Sequence, residues 1–157
     1  MYQTGTINRL LLIACTCWLC ALAPTTYNRV QPVTLDALHQ QVKTNNDTLY
    51  VVNFWATWCK PCVEEMPYFI KAAGQYAQQP FQLIFVSLNS PKELAAVQKF
   101  TDSRNITQPV LLLTETNANV WINRVDSTWT GSIPATAFYR NGQKLLFYEG
   151  ELDAAGL

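Results

Sequence analysis

The chain has 157 residues, 49% of them hydrophobic, which is enough for the core of one ordinary domain and too many for a disordered chain. Lys plus Arg and Asp plus Glu stand at 11 each, so nothing in the charge indicates a nucleic acid or an acidic polymer as partner. Of the five cysteines, Cys15, Cys17 and Cys20 lie in an N-terminal apolar segment and only Cys59 and Cys62 lie in the body. Loss of that segment would leave one cysteine pair and no spare thiol, an arrangement suited to an oxidising compartment.

Residues 1–9 are polar with a single basic side chain, Arg9, and residues 10–23 then run without a charge to Ala21-Leu22-Ala23. A short apolar run closing on an A-x-A site predicts a secretory signal peptide over 1–23. The run is about 14 residues, short of the roughly 20 that a spanning helix needs. Retention as a membrane anchor stays open, and so does a lipid on Cys15, because Leu12-Ile13-Ala14-Cys15 resembles a lipobox. Residues 24–33 read as a linker, which leaves 34–157 as the domain.

Leu35, Leu38 and Val42 at helical spacing predict a short amphipathic helix over 34–42, with Thr34 as its cap. His39 lies within it as a surface residue without a role. Residues 43–47, KTNND, predict a turn. Residues 49–55 are nearly all apolar and rich in valine and aromatics, the pattern of a strand buried on both faces. Thr57 and Trp58 break that run, and a helix is predicted over about 60–78. Pro61 sits in its first turn, where a missing N–H costs nothing, and Pro67 should kink it.

Cys59 falls at the N-terminus of that helix, where unpaired N–H groups and the positive end of the macrodipole favour a thiolate. Cys62 follows at i+3 on the same face, near enough to close a short disulfide. The pair supplies an attacking and a resolving sulfur, as thiol–disulfide exchange requires. A zinc site would need more ligands than the body holds, since no cysteine follows Cys62 and His39 is the only histidine. Haem attachment would need His where Val63 stands. A bridge closing so short a loop would be a poor structural staple. No metal and no organic cofactor is called for.

Further on, residues 81–88 predict a second buried strand, and residues 92–103 a helix turning Leu94, Val97 and Phe100 inward, with Ser90 as cap and Pro91 in its first turn. Strand, helix, strand in this order gives a parallel, right-handed unit. Residues 110–113 predict a short strand and residues 117–124 a short helix carrying Val120 and Trp121. Residues 126–132 form a loop by composition that leads to Ile133-Pro134 and a strand over 135–139. Asn141-Gly142 predicts a type I′ hairpin to a last strand over 144–148. Residues 151–157 read as the first turn of a closing helix.

FWATWCKPC resembles the thioredoxin active site, and SIPATAFY resembles the cis-proline strand of that fold. The likeness covers about residues 35–150 and is strongest to the extracytoplasmic TlpA-like and ResA-like oxidoreductases, a redoxin or AhpC-TSA type of domain. It implies an α/β thioredoxin fold: a three-layer sandwich in which helices flank a mixed sheet, with an insertion before the cis-Pro strand. It also implies a cis Ile133-Pro134 bond, although most X-Pro bonds are trans. The Ile133 backbone would then lie beside the cysteines and bind an incoming peptide as an added strand. Trp58, Lys60 and Pro61 are expected on the same docking surface, and Trp129 either joins them or is simply packed. Glu65, three residues after Cys62, matches a glutamate linked to active-site protonation in that branch and is the candidate proton acceptor. Asn53 stands where thioredoxins proper carry a buried aspartate, and an amide cannot take up a proton from Cys62.

The function implied is a protein-disulfide reductase acting outside the cytoplasm, in the periplasm or tethered to the outer face of the membrane. It would work as a monomer on disulfide-containing proteins and be re-reduced by a membrane-embedded donor. Three other readings remain. A peroxidase of the peroxiredoxin type would want Pro and Thr where Val52 and Ala56 stand. A disulfide oxidase or isomerase would differ in redox potential, and the Lys60 cation leans that way by favouring the Cys59 thiolate. A non-catalytic binding module would tolerate loss of both cysteines.

Overall fold

The structure is a computed structural model that describes residues 29–153. The signal-peptide, anchor and Cys15 lipid readings therefore lie outside the described residues. Six strands form one sheet: β1 (Gln31–Val33), β2 (Leu49–Trp55), β3 (Phe81–Ser87), β4 (Val110–Leu113), β5 (Ala135–Arg140) and β6 (Gln143–Glu149). Four helices flank it: α1 (Leu35–Val42), α2 (Lys60–Gln75), α3 (Leu94–Ser103) and α4 (Ala118–Val125). The strand order is β1-β4-β3-β2-β5-β6. The first four strands in that order run parallel, β5 runs antiparallel to β2, and β6 runs antiparallel to β5.

β2 is central, and its alternating side chains explain its near-continuous apolar run. Val51 and Trp55 enter one core with Met66 and Phe69 of α2 and Val97 of α3. Val52 and Phe54 enter the other core with Leu35, Leu38 and Val42 of α1 and Trp121 and Val125 of α4. The crossovers β2-α2-β3 and β3-α3-β4 step in the same direction along the sheet. Right-handed connections therefore place α2 and α3 on one face.

Local signals set most of the boundaries. Thr34 Oγ1 accepts the Ala37 N–H at 3.2 Å and starts α1. The Ser90 N–H donates to the Glu93 carboxylate at 2.8 Å across a 3-10 turn, Pro91–Glu93, that leads into α3. Asn141 and Gly142 have φ of 51° and 74°, the left-handed pair that a type I′ hairpin needs. Pro67 lies inside α2, which continues through it and ends at Gln75, short of the expected residue 78.

Three expectations are corrected. Residues 31–33, assigned to the linker, form β1, an edge strand paired in parallel with β4. Residues 151–153, read as the start of a helix, are irregular, because the Leu152 N–H is drawn to a buried carboxylate rather than into a helical turn. His39 is half-buried rather than on the surface; burial first, then the nearby Lys43 and Arg124 cations, push its pKa down to about 4.

Candidate active site

The site is built where β2 ends. The strand leads through buried Ala56 into a tight turn, in which the Cys59 N–H donates to the Ala56 carbonyl at 3.1 Å. Asn89, buried at the end of β3, fixes this turn from the neighbouring strand. Its Oδ1 accepts the Thr57 N–H at 2.9 Å, and its Nδ2 donates to Thr57 Oγ1 at 2.8 Å. Nothing in the sequence marked Asn89. It is a loop asparagine by composition, and only the parallel pairing of β2 with β3 brings it to Thr57.

Cys59 is the N-cap of α2, and its Sγ accepts the Cys62 N–H at 3.3 Å. A helix-terminal donor is thus already aimed at this sulfur, which stabilises charge on it. Cys59 and Cys62 are joined as a disulfide with Cα atoms 5.3 Å apart. The two are not equivalent: Cys59 keeps 6% of its surface and Cys62 none. Of the two, only Cys59 keeps any surface toward solvent.

The Ile133-Pro134 bond is cis, and the Ile133 carbonyl oxygen lies 3.7 Å from Cys59 Sγ. A disulfide sulfur has no proton to donate, so in this oxidised state the distance is proximity; a reduced Cys59 could donate S–H across it. Pro134 is buried and directly precedes β5, while Ile133 remains partly open. Trp58, two-thirds exposed, stands beside the pair at the mouth of a groove of about 450 Å³ that runs past Leu88 and Glu115 to Trp121. Lys60 and Pro61, between the two cysteines, are exposed. Lys60 forms an i,i+4 ion pair with Glu64 at 3.5 Å, in water on both sides and so of little energetic weight.

Trp129 is packed rather than on the docking surface. It is 4% exposed and packs on Phe54, Trp121 and Phe147 with ring centroids 4.9–5.4 Å away, and its Nε1 donates to the Ser132 carbonyl at 2.8 Å. An indole covered on several sides cannot touch a substrate. Its contribution is to support the backbone just ahead of Ile133.

Glu65, one helical turn after Cys62, is fully buried. Its Oε1 accepts from Asn53 Nδ2 at 2.7 Å, and its Oε2 accepts the Leu152 N–H at 2.8 Å. Asn53 Nδ2 also reaches Thr136 Oγ1 at 3.2 Å. Burial raises the Glu65 pKa above the ordinary range, and these two hydrogen bonds only partly oppose it. The residue is therefore a better base than a surface glutamate.

The sign of the resulting pH dependence follows. Between the ordinary glutamate pKa of roughly 4.3 and the raised native value, the folded chain holds a proton at Glu65 that the unfolded chain has lost. Stability then falls as pH rises through that window. Glu65→Gln removes the titration. In urea unfolding at pH 4.5 and pH 7.5, the variant is expected to gain stability relative to the parent on going to the higher pH. A parallel shift of both proteins would contradict a buried, titrating Glu65.

A mixed sheet whose central strand launches a helix capped by one cysteine and carrying a second at i+3, beside a cis-proline strand, defines a thioredoxin-fold protein with a cysteine-pair site. The model of the AhpC/TSA family matches residues 26–145, and the chain belongs to that family. Among curated proteins it is similar to the thiol-disulfide oxidoreductase ResA of Halalkalibacterium halodurans, with 32% identity over 85 residues covering 54% of this chain and 44% of that protein. It is also similar to the thioredoxin-like protein YneN of Bacillus subtilis, with 37% identity over 62 residues covering 40% of this chain and 36% of YneN. The chain thus spans less than half the length of these relatives. Among solved structures, a thioredoxin-family thiol:disulfide interchange protein from Chlorobium tepidum aligns with a TM-score of 0.58 and 26% identity, covering 69% of this chain and 74% of that one. StoA from Bacillus subtilis aligns with a TM-score of 0.56 and 22% identity over 71% of this chain and 80% of StoA, a likeness of fold.

Proposed function

We propose that the protein is a thiol–disulfide oxidoreductase, working as a reductase of protein disulfides outside the cytoplasm. The observation that carries this reading is the asymmetry of the pair: Cys59 keeps the only surface the two have, is charge-stabilised at a helix N-terminus and lies 3.7 Å from the Ile133 carbonyl, while Cys62 is wholly enclosed. In the reduced protein the Cys59 thiolate attacks one sulfur of a partner disulfide, and the other sulfur leaves as a thiolate. Cys62 then gives its proton to Glu65 and attacks Cys59 within the mixed disulfide. The partner departs fully reduced, and the Cys59–Cys62 disulfide forms. The electrons come from the dithiol, so a donor must restore it, and a membrane-embedded dithiol protein fits the proposed location. Lys60, Pro61 and Trp58 form the rim that meets the partner, and Ile133 offers its backbone as the edge to which an extended segment adds.

The ResA relatives named thiol-disulfide oxidoreductases support the reaction class. Secretion or tethering through residues 1–23, and action as a monomer, are part of the same proposal. The peroxidase reading gains nothing from the site. Val52 and Ala56, at the Pro and Thr places of the peroxiredoxin pattern, are buried apolar side chains, so no hydroxyl from there reaches Cys59.

The equilibrium redox potential of the purified chain, titrated against dithiothreitol and glutathione buffers, tests the direction. A reductase should lie near roughly −270 mV. A value near roughly −120 mV would make the protein a disulfide donor. Absence of any reversible couple would leave only a binding module.

A further inference from the structure

The loop ahead of the cis-proline is held by a residue that neither motif includes. Glu149, the last residue of β6, pairs with Ala135 across the sheet. Its Oε2 accepts the Thr130 N–H at 3.0 Å, and its Oε1 accepts the Ser132 N–H at 2.9 Å and the Thr130 hydroxyl. Between them Gly131 has φ of +98°, a conformation that L side chains rarely adopt, and a Cβ there would press on Ile122 Cδ1 at 3.1 Å. The turn at Gly131 lets the two flanking N–H groups face one carboxylate. From the core side Trp129 Nε1 takes the Ser132 carbonyl, and from the exit of β6 the Gly150 N–H takes the Pro134 carbonyl at 2.9 Å.

The same strand holds the start of the loop. Lys144 pairs with the Asp126 carboxylate and donates to the Val125 carbonyl at 2.6 Å. The edge strand β6 thus clamps both ends of the segment that presents Ile133.

We propose that Glu149 is a positioning residue for polypeptide substrates, fixing the 130–133 backbone so that Ile133 meets an extended chain at the register that delivers its disulfide to Cys59. This rests on the oxidoreductase reading above and adds the residue that holds its docking backbone in register. A small disulfide needs only to reach Cys59 Sγ. A polypeptide must also pair with the backbone beside it, and pairing is efficient only if that backbone is already in place. Charge-assisted bonds to backbone N–H groups are the stronger kind, and Glu149 makes two.

The test compares two electron acceptors, with the pre-reduced full chain as donor: insulin, a disulfide-bonded polypeptide, and dithiobis(nitrobenzoate), a small disulfide. The readout is the ratio of their kcat/KM values, each taken from single-turnover kinetics with the acceptor in excess. Glu149→Ala is expected to lower the insulin-to-small-disulfide ratio about tenfold, mainly through KM, the size expected on losing charged hydrogen bonds that hold a docking backbone. Glu149→Gln, which keeps one acceptor oxygen, should recover part of the loss. Hydrogen exchange at the Thr130 and Ser132 amides should speed up in Glu149→Ala. An unchanged ratio, or an equal fall on both acceptors, would overturn the proposal, since Glu149 would then be inert or act on the fold or the sulfurs. If the unaltered protein reduced neither acceptor, the oxidoreductase reading itself would fall, a result distinct from any failure confined to Glu149.

Discussion

Cys59→Ser is expected to abolish the proposed thiol–disulfide exchange, with a fall on the order of a thousandfold or more, as when a nucleophile acting as part of a unit is removed. Cys62→Ser behaves differently, because the first step survives. Cys59 is the member of the pair that keeps any surface, and its sulfur has a helix N–H aimed at it, so it is expected still to attack the partner. Without Cys62 nothing displaces the partner, and the mixed disulfide accumulates. Non-reducing electrophoresis or mass spectrometry after mixing with an oxidised protein should show an adduct with Cys62→Ser and none with Cys59→Ser. Adducts with both, or with Cys59→Ser alone, would reverse the assignment of nucleophile and resolving thiol. The order is set by enclosure, since Cys62 has no surface through which a partner could reach it.

Trp129→Ala should destabilise the fold by about 3–5 kcal/mol, the cost of a large aromatic removed from a packed interior. The indole joins Phe54 of β2, Trp121 of α4 and Phe147 of β6, three elements far apart in sequence. A small neighbour cannot fill that junction. The Ser132 carbonyl would also lose its Nε1 donor. Trp58→Ala is the contrast: with two-thirds of its surface in water it should change stability by no more than about 0.5 kcal/mol. Urea midpoints and slopes for both variants measure the difference. A loss under about 1 kcal/mol for Trp129→Ala would contradict its place at the junction.

How far the sequence could be read depended on how local each signal was. β2 was legible to its last residue because a strand covered on both faces must be apolar throughout, and it ends where Thr57 and Trp58 break the run. The capped start of α2 was legible because Cys59 and Pro61 occupy first-turn positions that few residue types suit. β1 was not, because Gln31, Pro32 and Val33 carry no alternation and become a strand only by pairing with β4, some eighty positions on. Trp129 was visible as a large side chain beside the proline motif. Its direction depends on α4 and β6 closing around it, which no spacing in the 126–132 stretch encodes. Glu65 showed its position on α2, but its burial depends on Asn53 and the Leu152 N–H. Glu149 looked like an ordinary strand-end charge. Its partners Thr130 and Ser132 lie 19 and 17 residues back, across the hairpin.

The order of the strands also sets an order in time. β2, α2 and β3 are contiguous in the chain and form a local unit, so the helix-capped cysteine pair can take shape as soon as Ser87 has emerged. The other flank of β2 waits for β5, because Ile133 lies 74 residues beyond Cys59, and the Glu149 clamp follows later still. Closing contacts over such spans is entropically costly and slow. If the pair acts as proposed, a half-made chain would hold both cysteines before the edge that selects a partner exists, and discrimination would arrive only when the final hairpin docks.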